Sequence, residues 1–209
     1  MLTYTLYILL VLVCYVGYLY DESAKKRRLN KPILSNILNK VIFLFSFLLA
    51  GLRHYSVGID SENYFDFYET LASTSYQLKW LLEDYNILEP SFLLINLICI
   101  EINSSYTLNF LVNSFLSFFI LNYFIKNYVA EKNLFWLVFI ASGFFFSTFN
   151  MVRQMHALML FIIGIEYALK RNFKHFFWTT ILGGSLHYSA YCLMPMYYLV
   201  RNLRIKYYI

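Results

Sequence analysis

Three short polar segments stand out from an otherwise apolar chain, because they carry side chains that bind anions or transfer protons. The first segment follows a hydrophobic block and surrounds Gly58, where the backbone can turn sharply. The second opens a later hydrophobic block, and the third lies inside the last one. Their reactive residues are Arg53, Tyr55, Asp60 and Tyr64 in the first, Arg153, Gln154 and His156 in the second, and His187 in the third.

Two of these residues, and Glu166 elsewhere in the chain, also have an ordinary structural explanation. An arginine at a membrane boundary can anchor a helix by reaching the lipid headgroups, which would account for Arg153. A histidine deep in an apolar segment such as His187 favours a function, with a hydrogen-bonded structural histidine as the alternative. Glu166 lies four residues before Lys170, a helical pair that needs no ligand. The case for chemistry therefore depends on whether the three segments meet.

The composition predicts an integral membrane protein, since 60% of the residues are hydrophobic and only 14% are charged. The apolar residues form blocks close to the roughly 20 residues that cross a bilayer as a helix. We expect an all-α, polytopic membrane protein with one transmembrane domain over residues 1–209. The sequence predicts about six transmembrane helices, at residues 2–20, 33–52, 106–125, 134–149, 151–169 and 176–200.

The basic residues predict the orientation of these helices. Residues 21–31 hold the densest basic cluster, which the positive-inside rule places in the cytoplasm. Because the basic cluster follows the first apolar block, that block reads as a first span with its N-terminus outside and not as a signal peptide. Residues 53–90, rich in acidic side chains, then form an extracytoplasmic loop region.

Two segments leave the topology open. Residues 91–102 are apolar but too short to cross, which favours a re-entrant or interfacial helix on the outer side. The alternative, a tilted span from near Trp80, would bury Glu83, Asp84 and Glu89 at a cost of a few kcal/mol each. At the C-terminus, one crossing places the basic tail outside, unless Gly183–Gly184 and Pro195 break the segment and return the chain.

Helix geometry predicts that the second and third polar segments meet. The short loop at residues 170–174 makes the last two spans antiparallel neighbours. Arg153 lies seventeen residues before Lys170 and His187 lies thirteen residues after Lys174. At 1.5 Å per residue their heights differ by about 6 Å, which a long arginine side chain can bridge. Both should lie at the outer level of the first segment.

The sequence lacks the residue patterns that several classes of function require. The sequence contains no Gly-rich phosphate loop, no Ser-His-Asp spacing and no Cys/His metal set, so we expect neither a metal nor a cofactor. The three cysteines all lie in apolar blocks. The net charge of +5 comes from basic residues in short loops, where they orient spans, so nucleic acid is not expected as a partner.

Four segments together resemble the EpsG-like family of exopolysaccharide and capsular polysaccharide polymerases, relatives of the Wzy-type polymerases. They are GLRHYSVGIDSENYFDFYE at 51–69, LEPSFLLINLI at 88–98, FNMVRQMHALML at 149–160 and LHYSAYCLMPMYYL at 186–199. The combination is fairly specific, whereas each motif alone would be weak. The chain is shorter than members of that family usually are, which predicts a truncated or minimal member.

The resemblance implies a metal-independent polymerase of the bacterial cytoplasmic membrane that joins lipid-linked repeat units outside the cell membrane. The donor would be a glycan on undecaprenyl pyrophosphate, and other polysaccharide-assembly proteins would be partners. The implied catalytic residues are Arg153 at the pyrophosphate and His187 or Asp60 as the base; the implied substrate-binding residues are Arg53, Tyr55, Tyr64, Glu89, Gln154 and His156.

Two other interpretations remain open at this point. A transporter or flippase component for the same glycans would also need membrane cations and an aromatic path. It would, however, place polar groups near the midplane with access to both sides, whereas here they gather at one side. The other is an inactive fragment or a scaffold that binds glycan without chemistry.

Overall fold

A computed structural model describes residues 2–27, 33–73, 89–103 and 105–200 of the chain. The predictions made for residues 74–88, for the basic residues at 28 and 31, and for the C-terminal tail from 201 lie outside these ranges. The helices are α1 Leu2–Lys26, α2 Ile33–Gly51, α3 Ser61–Ser73, α4 Pro90–Ile102, α5 Tyr106–Tyr128, α6 Lys132–Ala141, α7 Phe144–Asn150, α8 Val152–Leu169, α9 Phe173–Leu186 and α10 Met196–Val200, with a 3₁₀ helix at Tyr188–Leu193 between the last two.

The predicted fold class is confirmed, because the described residues are almost all helical and include several helices fit to cross a membrane. Four helices are long and apolar enough to do so, namely α1, α2, α5 and α8. The pair α6 and α7 passes the same test only if the two count as one bent span, which gives five. The described part of the chain therefore has four or five candidate spans, compared with the six or so predicted.

Apolar side chains on the outer faces of these helices are consistent with a lipid environment. In α1, Ile8 is 59% exposed and Leu12 is 53% exposed, and in α5 Phe119 is 56% exposed. Such residues would be unfavourable as a continuous surface in water. They are stable when lipid chains cover them, so the exposed faces of α1 and α5 indicate contact with the bilayer.

The predicted span at 134–149 bends by 62° between α6 and α7. Gly143 lies at the bend with φ of +85°, a conformation that L residues other than glycine rarely adopt. Its backbone accepts from the N–H of Phe146 and so starts α7 in a new direction. A single glycine therefore converts one apolar block into two short helices.

The last predicted span, at 176–200, is also interrupted. Helix α9 ends at Leu186, and His187 then adopts an extended conformation with φ of −158° and ψ of 117°. Gly183 and Gly184, which the sequence suggested as the break, lie inside α9. The interruption instead falls on the histidine, and the short α10 follows it.

The two N-terminal spans differ from the prediction at their ends. Helix α1 continues beyond residue 20 to Lys26, so part of the basic segment is helical. Helix α2 runs without a break from Ile33 to Gly51, within one residue of the predicted span at 33–52. Lys25, at the end of α1, pairs with Glu22 and with Glu131 before α6, each at 2.9 Å.

The packing order brings the three polar segments to one end of the bundle. Helix α8 packs most extensively on α9, while α5 packs on α2 and α8. The short α4 lies against α5 and α9, and α3 contacts α4 and α5. The Tyr68 hydroxyl of α3 donates to the carbonyl of Asn103 after α4 at 3.1 Å. The start of α4, the start of α8 and the end of α9 consequently adjoin one another.

Candidate functional site

Glu89 lies at the centre of the site, immediately before α4. Pro90 occupies the first position of that helix, and the residue before a proline is biased toward extended backbone. Glu89 accordingly has φ of −62° and ψ of 127°. Its side chain is only 4% exposed. The proline therefore begins the helix while the glutamate turns its carboxylate into the bundle.

Both carboxylate oxygens of Glu89 are bonded to residues of other helices. Oε2 accepts from Nη1 of Arg153 at 2.5 Å, and Oε1 pairs with Nδ1 of His187 at 2.7 Å. A carboxylate can only accept here, so Nδ1 of His187 donates. Arg153 lies in the first turn of α8 and His187 caps the end of antiparallel α9. The structure thus joins the second and third polar segments through one buried carboxylate.

Aromatic rings of α3 and α4 surround the guanidinium of Arg153. Its Cζ lies 5.4 Å from the ring centre of Phe92 and 6.0 Å from that of Tyr64. The two rings contact each other edge to face at 5.9 Å. The side chains of Arg153 and His187 remain 30% and 28% exposed. A ligand can therefore reach the cation and the imidazole, but not the carboxylate beneath them.

The Glu89 carboxylate stays ionised because its hydrogen-bond partners lower its pKa by more than burial raises it. Burial by itself would raise the pKa of this carboxyl, but its own backbone N–H, His187 and Arg153 together hold the pKa below the ordinary 4.5. Because the pKa of Glu89 is lower in the folded protein than in the unfolded chain, its ionised form stabilises the fold at pH values above the ordinary pKa. This contribution is lost as the pH falls through the lowered pKa. The carboxylate is thus ionised at neutral pH.

Arg53 lies apart from this cluster and is 7% exposed. Its Nε donates to Ser61 Oγ at 3.3 Å, and its other nitrogens donate to the carbonyls of Ala50 and Phe149. The guanidinium lies 4.2 Å from the ring centre of Phe110. Burial lowers its pKa to about 10, which leaves it protonated at neutral pH. These contacts make Arg53 a brace between the loop after α2 and the end of α7.

A small cavity of about 10 Å³ lies beside Arg53 and is also lined by Tyr64 and Phe92, the two rings next to Arg153. Its volume is close to the minimum that holds one water molecule. Arg53 and Tyr64 line it on one side and Asn109 and Asn113 on another. Burial raises the pKa of the Tyr64 phenol, so its hydroxyl stays protonated and can donate. Tyr64 therefore contacts both the cavity and Arg153.

Comparison with protein families identifies the chain. A family model described as the EpsG family matches residues 36–209, which includes every residue of the site. The chain belongs to the EpsG family. Membership indicates a polymerase-like role in polysaccharide biosynthesis and agrees with the membrane helices of the fold. Comparisons with curated proteins and with solved structures found no match.

The remaining predicted site residues of this EpsG family member lie around the cluster and not in it. Tyr55 is half-buried and stacks on Phe65 at 4.3 Å. Asp60, half-buried before α3, is close enough for its charge to raise the pKa of Tyr64, as burial does. Gln154 is exposed. His156 is fully buried, and its Nε2 is 2.9 Å from the carbonyl of Asn113. The role of Asp60 as a catalytic base and the substrate-binding roles of the others stay predictions.

The structure adds residues that sequence reasoning missed. Asn96, Asn109 and Asn113 are all buried and hydrogen-bonded to one another, and Phe92 supplies a ring beneath Arg153. The sequence did contain a signal for the three asparagines, because asparagine inside an apolar helix is unfavourable without a hydrogen-bond partner. Within the described residues, no group of three His, Cys, Asp or Glu side chains is placed to hold a metal ion.

Proposed function

We propose that the chain is a membrane glycosyltransferase that joins lipid-linked oligosaccharide repeat units into exopolysaccharide or capsule. The units are carried on undecaprenyl pyrophosphate, and the reaction takes place on the outer side of the bacterial cytoplasmic membrane. The observation that carries the proposal is the buried Glu89 carboxylate bonded to both Arg153 and His187. It provides a fixed cation and an oriented base at one end of a membrane bundle.

His187 is the base in this proposal. Because Glu89 accepts a hydrogen bond from the Nδ1–H of His187, the neutral imidazole is held in the tautomer whose lone pair is on Nε2. A carboxylate orients a catalytic histidine in the same way in other enzymes. Nε2 removes the proton of the acceptor sugar hydroxyl as that oxygen attacks the anomeric carbon of the donor. Asp60, the other base considered, lies at the edge of the cluster.

Arg153 stabilises the leaving group. As the new glycosidic bond forms, the bond between the anomeric carbon and the pyrophosphate oxygen breaks, and the electron pair stays on the lipid pyrophosphate. Arg153 is held by Glu89 and by a hydrogen bond to Tyr64, while the exposed part of its planar fork is available to phosphate oxygens. The charge that develops on the leaving group therefore meets a cation already in place.

The first experiment is deletion of the gene with analysis of the lipid-linked pool. We expect single repeat units to accumulate on the outer side of the membrane, because they are made and translocated but not joined. Accumulation on the inner side would contradict the proposal and indicate a flippase component. An unchanged pool with normal polymer would indicate an inactive fragment or a glycan-binding scaffold.

We expect Arg153→Lys to reduce polymer output about tenfold while leaving membrane insertion intact. Lysine keeps the charge but loses the planar fork that binds Glu89 and two phosphate oxygens together. The measurement is polymer mass per cell at matched protein level. Arg171→Lys, an exposed position beyond α8, is the control and should behave like the wild type. Normal polymer in Arg153→Lys would rule out the leaving-group role.

The proposed orientation predicts that a cysteine at position 59 is labelled from outside intact cells. Ile59 is 86% exposed and lies in the loop that leads to α3, so its replacement disturbs no contact in the core. The measurement is modification by a membrane-impermeant maleimide before and after lysis. Labelling only after lysis would place this loop, and the site beside it, in the cytoplasm.

A further inference from the structure

A chain of hydrogen bonds made by buried side chains, two of them to backbone carbonyls, crosses the apolar interior from α4 through α5 to α8. Asn96 Nδ2 donates to the carbonyl of Phe92 at 2.7 Å, and Asn109 Nδ2 donates to Asn96 Oδ1 at 2.5 Å. Asn113 Nδ2 donates to Asn109 Oδ1 at 2.6 Å, and Nε2 of His156 bonds the Asn113 carbonyl at 2.9 Å. We call Asn96, Asn109, Asn113 and His156 the asparagine chain.

All four members of the asparagine chain are at most 4% exposed. In the interior of a membrane bundle lipid cannot replace a lost hydrogen-bond partner, and the cavity beside Asn109 and Asn113 holds at most about one water molecule. Each member therefore favours the one arrangement of the three helices in which its partner is present. An apolar seam would hold the same helices together but would tolerate sliding and rotation more readily.

Both ends of the asparagine chain lie beside the Glu89 cluster. Phe92, whose carbonyl ends the chain, is three residues from Glu89, and its ring lies 5.4 Å from the Arg153 guanidinium. His156, at the other end, is three residues after Arg153, about one helical turn along α8. The chain thus connects the helix that presents the carboxylate to the helix that presents the cation.

A second contact ties α4 to the other partner of Glu89. Ser91 Oγ donates to Ser185 Oγ at 2.8 Å, and Ser185 in turn donates to the carbonyl of Leu182. Ser185 precedes His187 by two residues. The first turn of α4 is therefore attached on one side to α9 and on the other, through the asparagine chain, to α8.

We propose that the asparagine chain is a positioning network, with Asn109 as its central positioning residue. It sets the separation and rotation of α4 against α8 so that Glu89 meets Arg153 and His187 at once. This role acts through Glu89 and does not require any member of the chain to contact substrate. The inference rests on the proposed function for its effect on polymer, but its structural part, the fixed spacing of α4 and α8, can be measured independently.

The test replaces Asn109 with leucine, which has a similar volume but neither donates nor accepts. The matched control is Asn127→Leu in the same helix, where the exposed amide donates only to the Tyr123 carbonyl. Spin labels at positions 94 and 158, exposed residues of α4 and α8, report the distance between the helices in the full chain in lipid nanodiscs. The exposed Cys192 is first replaced by serine, since Cys14 and Cys99 are buried.

We expect Asn109→Leu to broaden the distance distribution and to lower polymer output about tenfold, because small misplacements of catalytic groups are costly in rate. Asn127→Leu should change neither. Asn109→Gln, which keeps both a donor and an acceptor, should restore part of the output. An unchanged distribution in Asn109→Leu would overturn the inference, and so would a broadened one with normal polymer where Arg153→Lys has lost its polymer.

Two further comparisons separate a failure of insertion, and a failure of the proposed function, from a failure of the spacing role. If Asn109→Leu does not insert, Asn109→Ala removes the same hydrogen bonds while leaving room for water, and the same distance measurement decides. If the distribution broadens in the asparagine variants while Arg153→Lys makes normal polymer, the proposed function fails and the spacing role stands. If Arg153→Lys loses polymer while the distribution stays narrow in the asparagine variants, the proposed function stands and the spacing role fails.

Discussion

Replacing Glu89 with glutamine is expected to lower polymer output about hundredfold. The glutamine amide has one oxygen and one NH₂ group, but Arg153 and His187 both donate to this side chain. If the oxygen faces Arg153, the NH₂ group faces Nδ1 of His187 and favours the tautomer that carries its proton on Nε2. The base is then lost. If the oxygen faces His187, the arginine loses its anchor.

The measurement for Glu89→Gln is polymer mass and the pool of unjoined repeat units at matched protein level. The control is Glu101→Gln, an exposed carboxylate at the other end of the same helix, which should have no effect. Because Glu89 is buried, insertion and folding are checked by the elution profile of the purified protein. Normal polymer from a folded Glu89→Gln variant would contradict the proposed site.

Replacing His187 with asparagine is expected to lower output about hundredfold, within the range that general base catalysis contributes. The asparagine amide nitrogen takes roughly the position of Nδ1, so a donor to Glu89 is kept, while nothing replaces Nε2. The variant should therefore insert and pack normally and yet fail to activate the acceptor. Unjoined repeat units should accumulate outside, as in the deletion strain.

His175→Asn provides the matched control for this experiment. His175 lies in the first turn of the same helix α9, is exposed, and bonds Asn172 next to it. We expect no change in polymer. If His187→Asn were to make polymer at the wild-type rate, His187 would be a structural cap of α9, and the base would have to be sought elsewhere.

The parts of the fold that depend on local composition could be predicted from the sequence. Apolar blocks marked the four long spans α1, α2, α5 and α8, and the short loop after α8 correctly made α8 and α9 antiparallel neighbours. The same loop placed Arg153 and His187 at a common level. These features follow from helix rise and hydropathy, which a single sequence carries directly.

The connection through Glu89 could not be predicted, since it depends on how α4 packs. Spacing alone does not say that a thirteen-residue helix lies against both α5 and α9, or that its preceding residue turns inward. The break of the last span at His187 has the same origin, because tertiary contacts override the apolar pattern there. Arg53 and Arg153 both follow or open a hydrophobic block in the sequence. In the structure, however, Arg53 is buried and donates to backbone carbonyls, whereas Arg153 remains partly exposed.

Gly58 shows how mutational data on the first polar segment should be interpreted. It has φ of +110°, and a side chain there would lie 2.7 Å from Ser61 Oγ and 2.8 Å from Asn150 Oδ1. Any substitution would push the loop away from the end of α7 and so separate Arg53 from two of its acceptors, Ser61 Oγ and the Phe149 carbonyl. A random screen for lost polymer will therefore mark positions 53 and 58 together. Their sensitivity would reflect the anchoring of a loop, and such a screen should not count them as evidence for contact with sugar or lipid.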